Sequence, residues 1–207
     1  RISSVLDGYR EGNSEDATVD LRSMTGLPVF IDMHVDNESE ISQDAYIKRF
    51  TMNPADVAFE AAVYAERTLM AGFTTIRDMG GNSFGLQKAL DAGVLSGPRI
   101  YSSGPPISQT SGHGDFRTAN DGHPYFDGPD LGGVATRFHW TRIADGPDEV
   151  RRATRENLFR GAAQIKVYTG GGVTSFTDPL YATQYSHEEI VAAVEEAKRY
   201  GTYVAVH

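Results

Sequence analysis

His34 and Asp36 stand at the end of the apolar segment 29–36, which is short enough to be a buried strand. Side chains two residues apart in a strand lie on the same face, so one small ion could meet both groups. The alternative is a strand end with two solvated polar residues, and this segment alone favours neither. The balance shifts because two later predicted strands also end in residues able to hold a metal.

Those later residues are Lys166 and His207. Lys166 lies in the apolar segment 163–168, where a charged lysine is unfavourable unless it is paired or modified. His207 closes the apolar segment 203–207 in the same strand-end position as His34. Taken singly, such a lysine more often reaches solvent, and such a histidine is more often structural. Three strand ends that carry such residues favour one shared site.

The elements that must position these side chains alternate along the chain. Continuous apolar strands separated by helices predict a parallel sheet covered on both faces. The segment 107–133 has no periodicity, and a loop of that length is usually functional or disordered. The predicted strands span 29–36, 73–77, 99–102, 164–168 and 202–206, and the predicted helices run from the Asn53 cap to Gly72, over 84–92, over 147–160 and from the Ser186 capping box to Tyr200.

Two α/β architectures fit this alternation, an open doubly wound sheet and a (β/α)8 TIM barrel. No glycine-rich dinucleotide turn follows the first strand, and polar residues cluster at the carboxyl ends of the strands, which favours the barrel. A barrel needs about 250 residues, so we expect only strands 1 to 5 of one here, over residues 28–207. Residues 1–27 predict short strands at 2–6 and 17–21, which we expect to be the end of a small β-sandwich domain.

Composition excludes several function classes. The 207 residues carry a net charge of −9, with no basic run, which argues against nucleic acid as a partner. No apolar stretch is long enough for a membrane span, so we expect a soluble protein without a membrane partner. Cysteine is absent, so a metal must use histidine, carboxylate or modified lysine. The composition fits the cytoplasm and, if a signal peptide was removed, also the periplasm or a secreted location.

Five short strings together resemble the metal-dependent amidohydrolase superfamily. Within it the chain looks like the branch of imidazolonepropionase-like enzymes, Xaa-Pro dipeptidases and ochratoxin-degrading amidohydrolases. The resemblance covers essentially the whole chain, and the order and spacing of its motifs are specific. The strings are 30–35, 72–78, 111–115, 165–167 and 204–207.

The resemblance implies a ligand set for two zinc ions, although other divalent metals are also compatible with it. His34 would bind the more buried ion, Lys166 carboxylated by CO2 would bridge both ions, and His207 would bind the second. A hydroxide held between the ions would then attack an amide carbonyl. The family's remaining ligand, a sixth-strand histidine, and its general base, an eighth-strand aspartate, would follow residue 207.

Asp36 departs from the family pattern, which has a second histidine at this position. A carboxylate also binds zinc, but its reach and charge differ, so the buried site would be altered. This departure and the absent ligands motivate an alternative function, an impaired or partial barrel that binds a ligand without turnover. A generic barrel enzyme using phosphate chemistry ranks a distant third.

The resemblance also suggests which residues contact substrate. His113 lies in the loop after the third strand and would polarise the substrate carbonyl or contact a carboxylate. Its alternative is a loop histidine held by neighbouring turns. Tyr168 shares a strand face with Lys166 and would line the pocket. Gly170–Gly172 is a weak phosphate-cradle pattern, and we expect it to let the backbone pass close to the metals.

The leading hypothesis is therefore a binuclear zinc amidohydrolase or dipeptidase. Its substrate would be a small amide, either a dipeptide or an N-acyl amino acid such as an ochratoxin-like amide. The resemblance further implies that the protein assembles as a homo-oligomer.

Overall fold

The structure is a computed structural model that describes residues 4–8, 12–15, 17–37, 51–128, 133–173 and 178–207. Strands and helices alternate through these residues, as predicted, except that the strand at 99–102 is followed directly by another at 107–108. In chain order they are β1 (Phe30–Val35), α1 (Pro54–Met70), β2 (Phe73–Asp78), α2 (Phe84–Asp91), β3 (Arg99–Ser102), β4 (Ile107–Ser108), α3 (Val134–Arg137), β5 (Arg142–Ile143), α4 (Gly146–Phe159), β6 (Ile165–Val167), α5 (His187–Arg199) and β7 (Val204–Val206).

All strand pairs are parallel, which confirms the predicted α/β class. One sheet has the order β1-β2-β3, and the other has the order β5-β4-β6-β7. Because the strands are parallel, their carboxyl ends meet at the same edge of each sheet. In the part of the chain that the structure describes, no helix combines the length and the apolar character needed to cross a bilayer.

Hydrogen bonds join the two sheets along β3 and β6. The Ala163 N–H, just before β6, donates to the Ser102 carbonyl at the end of β3 over 2.8 Å. The buried side-chain amide of Gln164 donates to the Tyr101 carbonyl over 2.9 Å. The residues that precede β6 are therefore held against the carboxyl end of β3.

The segment 107–133 differs from the prediction, because it begins with β4 at an interior position of the second sheet. Ile107 is fully buried, and its carbonyl accepts the Tyr168 N–H over 3.0 Å. Pro105 and Pro106 lack N–H donors and separate β4 from β3. Neither β4 nor the equally short β5 could be found from sequence, since two residues carry no periodicity.

The strands predicted at 2–6 and 17–21 are wrong for the residues that can be described. Residues 4–6 and 17–21 form no strand, and Val5 and Val19 are 86% and 75% exposed. An apolar alternation forms a strand only where a neighbouring strand satisfies its backbone groups, and here the described residues provide none. Residues 1–3 lie outside the described residues, and the domain boundary after residue 27 stays a prediction.

The predicted helix signals are confirmed. Asn53 caps α1 and forms a capping box with Asp56, while Pro54 occupies the first turn. Ser186 and Glu189 form the same motif at the start of α5. These caps satisfy backbone N–H groups that would otherwise lack partners at a helix start.

The main core lies between the second sheet and helices α4 and α5. Ile107, Ile165 and Val167 face small alanines of the helices, including Ala153 and Ala193, and all are at most 1% exposed. The first strand does not share this burial, so the prediction that 29–36 is a buried strand is wrong. Phe30, Ile31 and Met33 are 50–57% exposed because β1 is an edge strand whose only described neighbour is β2.

Glu196 connects the two helices that cover this core. Its carboxylate is 3% exposed and lies 2.8 Å from Arg155 of α4 and 2.7 Å from Arg199 of α5. The Arg155 guanidinium lowers the pKa of Glu196 below its usual range, and burial opposes this effect. Since the folded-state pKa is depressed, the stabilisation exists above the unfolded pKa of about 4.3 and is lost as pH falls through the folded pKa.

We expect Glu196→Gln to lower the free energy of unfolding at pH 7 by about 1–3 kcal/mol. The range lies below that of a fully buried pair because the arginines are 53% and 61% exposed. Urea unfolding at pH 7 and again below pH 4 measures the effect, which should shrink at the lower pH. Glu195→Gln is the matched control, because this neighbour is 51% exposed and should change stability by less than about 0.5 kcal/mol. Equal effects of the two substitutions would contradict the role given to Glu196.

Candidate metal and substrate site

Four of the predicted site residues are in direct contact at the carboxyl ends of β4, β6 and β7. His113 stacks on His207 with ring centroids 4.4 Å apart and planes inclined by 15°. Tyr168 meets both rings edge-on, at 5.0 Å from His113 and 5.6 Å from His207. The Lys166 ammonium lies 5.6 Å from the centre of the Tyr168 ring. We refer to these four residues as the site cluster.

Lys166 is a buried cation. It is 2% exposed on a strand whose three residues are all buried, and no carboxylate of the described residues lies within ion-pair distance of it. Burial lowers the pKa of Lys166, while the charge of Asp36 opposes that shift and Arg77 adds to it. A lowered pKa increases the fraction of neutral amine, which is the form that reacts with electrophiles.

His207 is placed by backbone bonds to β6. Its N–H donates to the Val167 carbonyl over 3.1 Å, and its carbonyl accepts the Thr169 hydroxyl over 2.9 Å. Burial lowers the pKa of His207, and the positive groups of three neighbours add to the effect, whereas Asp36 acts against it. These positive neighbours are His113, Lys166 and His34.

His34 and Asp36 are exposed at the end of β1 and influence the site cluster through their charge. Asp36 packs against the backbone of Gly80, where any Cβ would overlap its carboxylate. Nearby Asp78 is fully buried, and its carboxylate accepts the Asn37 N–H over 3.2 Å. Burial raises the pKa of Asp78 to about 7.

Asp178 holds His113 and was missed in the sequence. Its Oδ2 accepts from Nδ1 of His113 at 3.1 Å and from the Gly172 N–H at 2.9 Å, and it lies 3.4 Å from the Gln184 amide. The Gln184 carbonyl oxygen in turn accepts the His113 N–H over 3.0 Å. Both partners are buried and lie more than 60 residues along the chain from His113, so no local pattern could have indicated them.

The backbone of the glycine-rich segment Gly170–Gly172 lies close to the site cluster. A Cβ on Gly172 would overlap the His113 ring, and a Cβ on Gly114 would come within 2.6 Å of the Tyr168 ring. Gly170 by contrast has open space around its Cβ position. The backbone of this segment therefore passes close to the His113 ring. Gly172 is the position where this approach leaves no room for a side chain.

We expect Gly172→Ala to lower the free energy of unfolding by about 1–3 kcal/mol, because the added methyl group has no room beside His113. Chemical denaturation measures the change. Gly170→Ala is the control and should stay within about 0.5 kcal/mol of the native protein. A Gly172→Ala variant as stable as the control would show that His113 does not pack against this backbone.

Imidazole and carboxylate are the donors that zinc and similar divalent ions prefer. Among the residues that the structure describes, however, no three His, Asp or Glu side chains gather closely enough to hold an ion by themselves. Lys166 is buried near His207, and the charge of Asp36 acts on both residues. A modified Lys166 would add a further donor to His207 and Asp36.

Residues 25–207 match the model of the amidohydrolase family, and the chain belongs to this family. Ochratoxinase from Aspergillus niger is 36% identical over 183 residues, which cover 84% of this chain and 37% of that protein. These findings confirm the resemblance inferred from the sequence motifs.

Solved structures agree with this assignment. A prolidase complexed with N-methylphosphonate-L-proline superposes with a TM-score of 0.77 at 36% identity, covering 92% of this chain and 47% of that one. An Xaa-Pro dipeptidase with methionine bound in its active site gives a TM-score of 0.78 at 31% identity, covering 97% of this chain and 48% of that one. The chain thus spans less than half the length of these relatives.

Proposed function

We propose that the protein is a metal-dependent hydrolase that cleaves the C–N bond of a small amide, a dipeptide or an N-acyl amino acid such as an ochratoxin-like amide. The observation that carries this proposal is the buried Lys166 beside the stacked pair of His113 and His207 at the ends of parallel strands. The names of its relatives, an ochratoxinase and a prolidase, support hydrolysis of amide or peptide bonds.

The proposed architecture is a (β/α)8 barrel to which this chain contributes the first five barrel strands, with homo-oligomeric assembly. The metal ligands would be His34, Asp36, His207 and Lys166 in a carboxylated form. Carboxylation of Lys166 replaces a poorly solvated cation by an oxygen donor, and this suits the observed burial without a nearby carboxylate. When bound, divalent ions supply a nucleophile at neutral pH and polarise the scissile carbonyl.

The residues of this chain would orient the substrate. Because Nδ1 of His113 is committed to Asp178, any substrate contact of this ring uses Nε2. At that nitrogen a protonated ring donates to a carbonyl or carboxylate oxygen, and a neutral ring accepts a proton. The edge of Tyr168 closes the same side of the cluster and limits the space beside both histidines.

Hydrolysis assays of the purified protein test this function. We expect release of the amino acid from an N-acyl amino acid or a dipeptide, loss of the activity after chelation, and recovery with Zn²⁺. Chelation and reloading should leave the fold intact, as measured by circular dichroism. Absence of hydrolysis across both substrate classes in the zinc-loaded protein would contradict the proposal.

Asp36 supports a second candidate function, binding of a ligand without turnover. The family has a histidine here. A weakened metal site would still bind a ligand in the pocket but would not catalyse the reaction. We expect Asp36→His to raise zinc affinity by about 10-fold and to raise activity with it, because imidazole restores the family's nitrogen donor. Competition with a zinc chelator and parallel assays measure both quantities. An unchanged affinity with no activity in either form would favour the binding function.

A further inference from the structure

A cavity of about 630 Å³ opens between the segment 123–125, helix α3 and the first turns of α4. This volume is that of a pocket for a small organic molecule. None of its lining residues belongs to the site cluster or is a proposed metal ligand. The proposed function therefore leaves this cavity without a role.

Three arginines around the cavity, Arg137, Arg142 and Arg152, give it an excess of positive charge. Within the described ranges, none of them has a carboxylate within 4 Å. Among the other described arginines, Arg67, Arg77 and Arg99 likewise have no carboxylate at this distance, whereas six have one. These paired arginines are Arg22, Arg117, Arg151, Arg155, Arg160 and Arg199.

The acidic group of the lining, Glu149, already has a partner inside the protein. Its Oε2 accepts the Asp145 N–H over 3.0 Å at the start of α4. The His123 ring is also engaged, since Nδ1 accepts the Tyr125 N–H over 3.1 Å and Nε2 lies 2.9 Å from the Thr110 hydroxyl. Nε2 of His123 also lies 3.9 Å from the Asp145 carboxylate, so both ring nitrogens face groups of the protein. The three guanidinium groups are therefore the charged groups of the lining that a bound anion would contact.

The other walls of the cavity are apolar. Ile143 and Ala144 are buried at its base, and Tyr125 and Phe138 add aromatic rings to its lining. The Arg137 guanidinium lies 6.0 Å from the centre of the Phe138 ring. Burial lowers the pKa of His139 in the same wall, and the charges of Arg160 and Arg142 lower it further, as expected in a cationic environment.

We propose that this cavity binds a small organic anion that joins a carboxylate to an apolar body the size of an aromatic ring. Guanidinium groups bind carboxylates through paired, charge-assisted hydrogen bonds, and they gain most where no protein carboxylate competes. The apolar base and the aromatic rings would cover the remainder of the molecule. An inorganic anion would satisfy the arginines but would leave this apolar surface exposed to water.

Calorimetric titration of the purified protein with benzoate tests the proposal. We expect Arg142→Gln and Arg152→Gln each to raise the dissociation constant at least about 10-fold. Arg155→Gln is the matched control, because it removes the same charge from the same helix α4 outside the cavity and should change affinity less than about twofold. Benzyl alcohol keeps the aromatic ring without the negative charge, and inorganic phosphate keeps the charge without the ring. Each should bind at least about 10-fold more weakly than benzoate.

Three results would overturn the proposal. Benzoate affinity unchanged in both cavity variants would place the ligand elsewhere, and loss of binding in Lys166→Met alone would place it at the proposed metal site. Phosphate binding as tightly as benzoate would show that an apolar body does not contribute to binding. Since Arg152 is exposed, its variant is expected to fold, and a thermal unfolding curve checks this point.

Discussion

Lys166→Met is expected to lower kcat/KM for amide hydrolysis at least about 1,000-fold while leaving the protein as stable as before or more stable. The activity falls because the variant cannot carry the carboxylate that would complete the metal ligand set. Stability is kept because methionine has a similar volume and removes the unfavourable burial of an unpaired amine at a position 2% exposed. Initial rates, metal content and urea unfolding measure the three consequences.

Lys198→Met is the matched control for this substitution. Lys198 lies in the last turn of α5 with its side chain exposed, so the same chemical change there should leave rate and metal content unaltered. In the Lys166→Ala variant, where space is available, added short carboxylates such as propionate should recover part of the activity. Full activity in Lys166→Met would contradict the proposed role, and so would a loss of activity with metal content unchanged.

Asp178→Asn is expected to lower kcat/KM about 10- to 100-fold, as substitutions of residues that orient a functional histidine commonly do. Asparagine keeps the size of the side chain and the bond from the Gly172 N–H, but it loses the charge that faces Nδ1 of His113 at 3.1 Å. The ring can then turn or change tautomer, and Nε2 no longer meets the substrate in one defined state. Steady-state kinetics measure the effect, which should fall mainly on kcat.

A double-mutant cycle separates this effect from a general loss of packing. His113→Asn should cost about 100-fold, and Asp178→Asn should add little in its presence, because Asp178 acts through the ring. Additive losses would show that Asp178 affects the reaction by a route other than His113. Asp127→Asn is a suitable control, since this carboxylate accepts the His123 N–H in a loop away from the site cluster.

Local signals in the sequence predicted the helices and the strand ends well. Asn53 and Ser186 mark helix starts through side chains that reach only three residues ahead, so the information is contained in the segment itself. His207 follows directly on the last strand, as predicted, whereas Lys166 lies in the middle of β6 instead of at its end. The parallel sheet followed from the alternation of these elements.

Features that depend on distant neighbours could not be predicted in this way. The exposure of β1 depends on which strands lie beside it, and among the described residues only β2 does. An apolar sequence is the same whether one or two strands flank it. Asp178 approaches His113 across 65 residues of chain, so its role depends on the tertiary fold. The short strand β4 depends equally on its neighbours β5 and β6, which provide the hydrogen bonds that two residues cannot specify.

The most direct test of the central claim is a high-resolution crystal structure of the protein grown with Zn²⁺ and bicarbonate. We expect continuous density for a carboxylate on Nζ of Lys166 between two metal ions, with His34, Asp36 and His207 among their ligands. An unmodified Lys166 with no metal within reach of His207, in crystals of zinc-loaded protein, would contradict it.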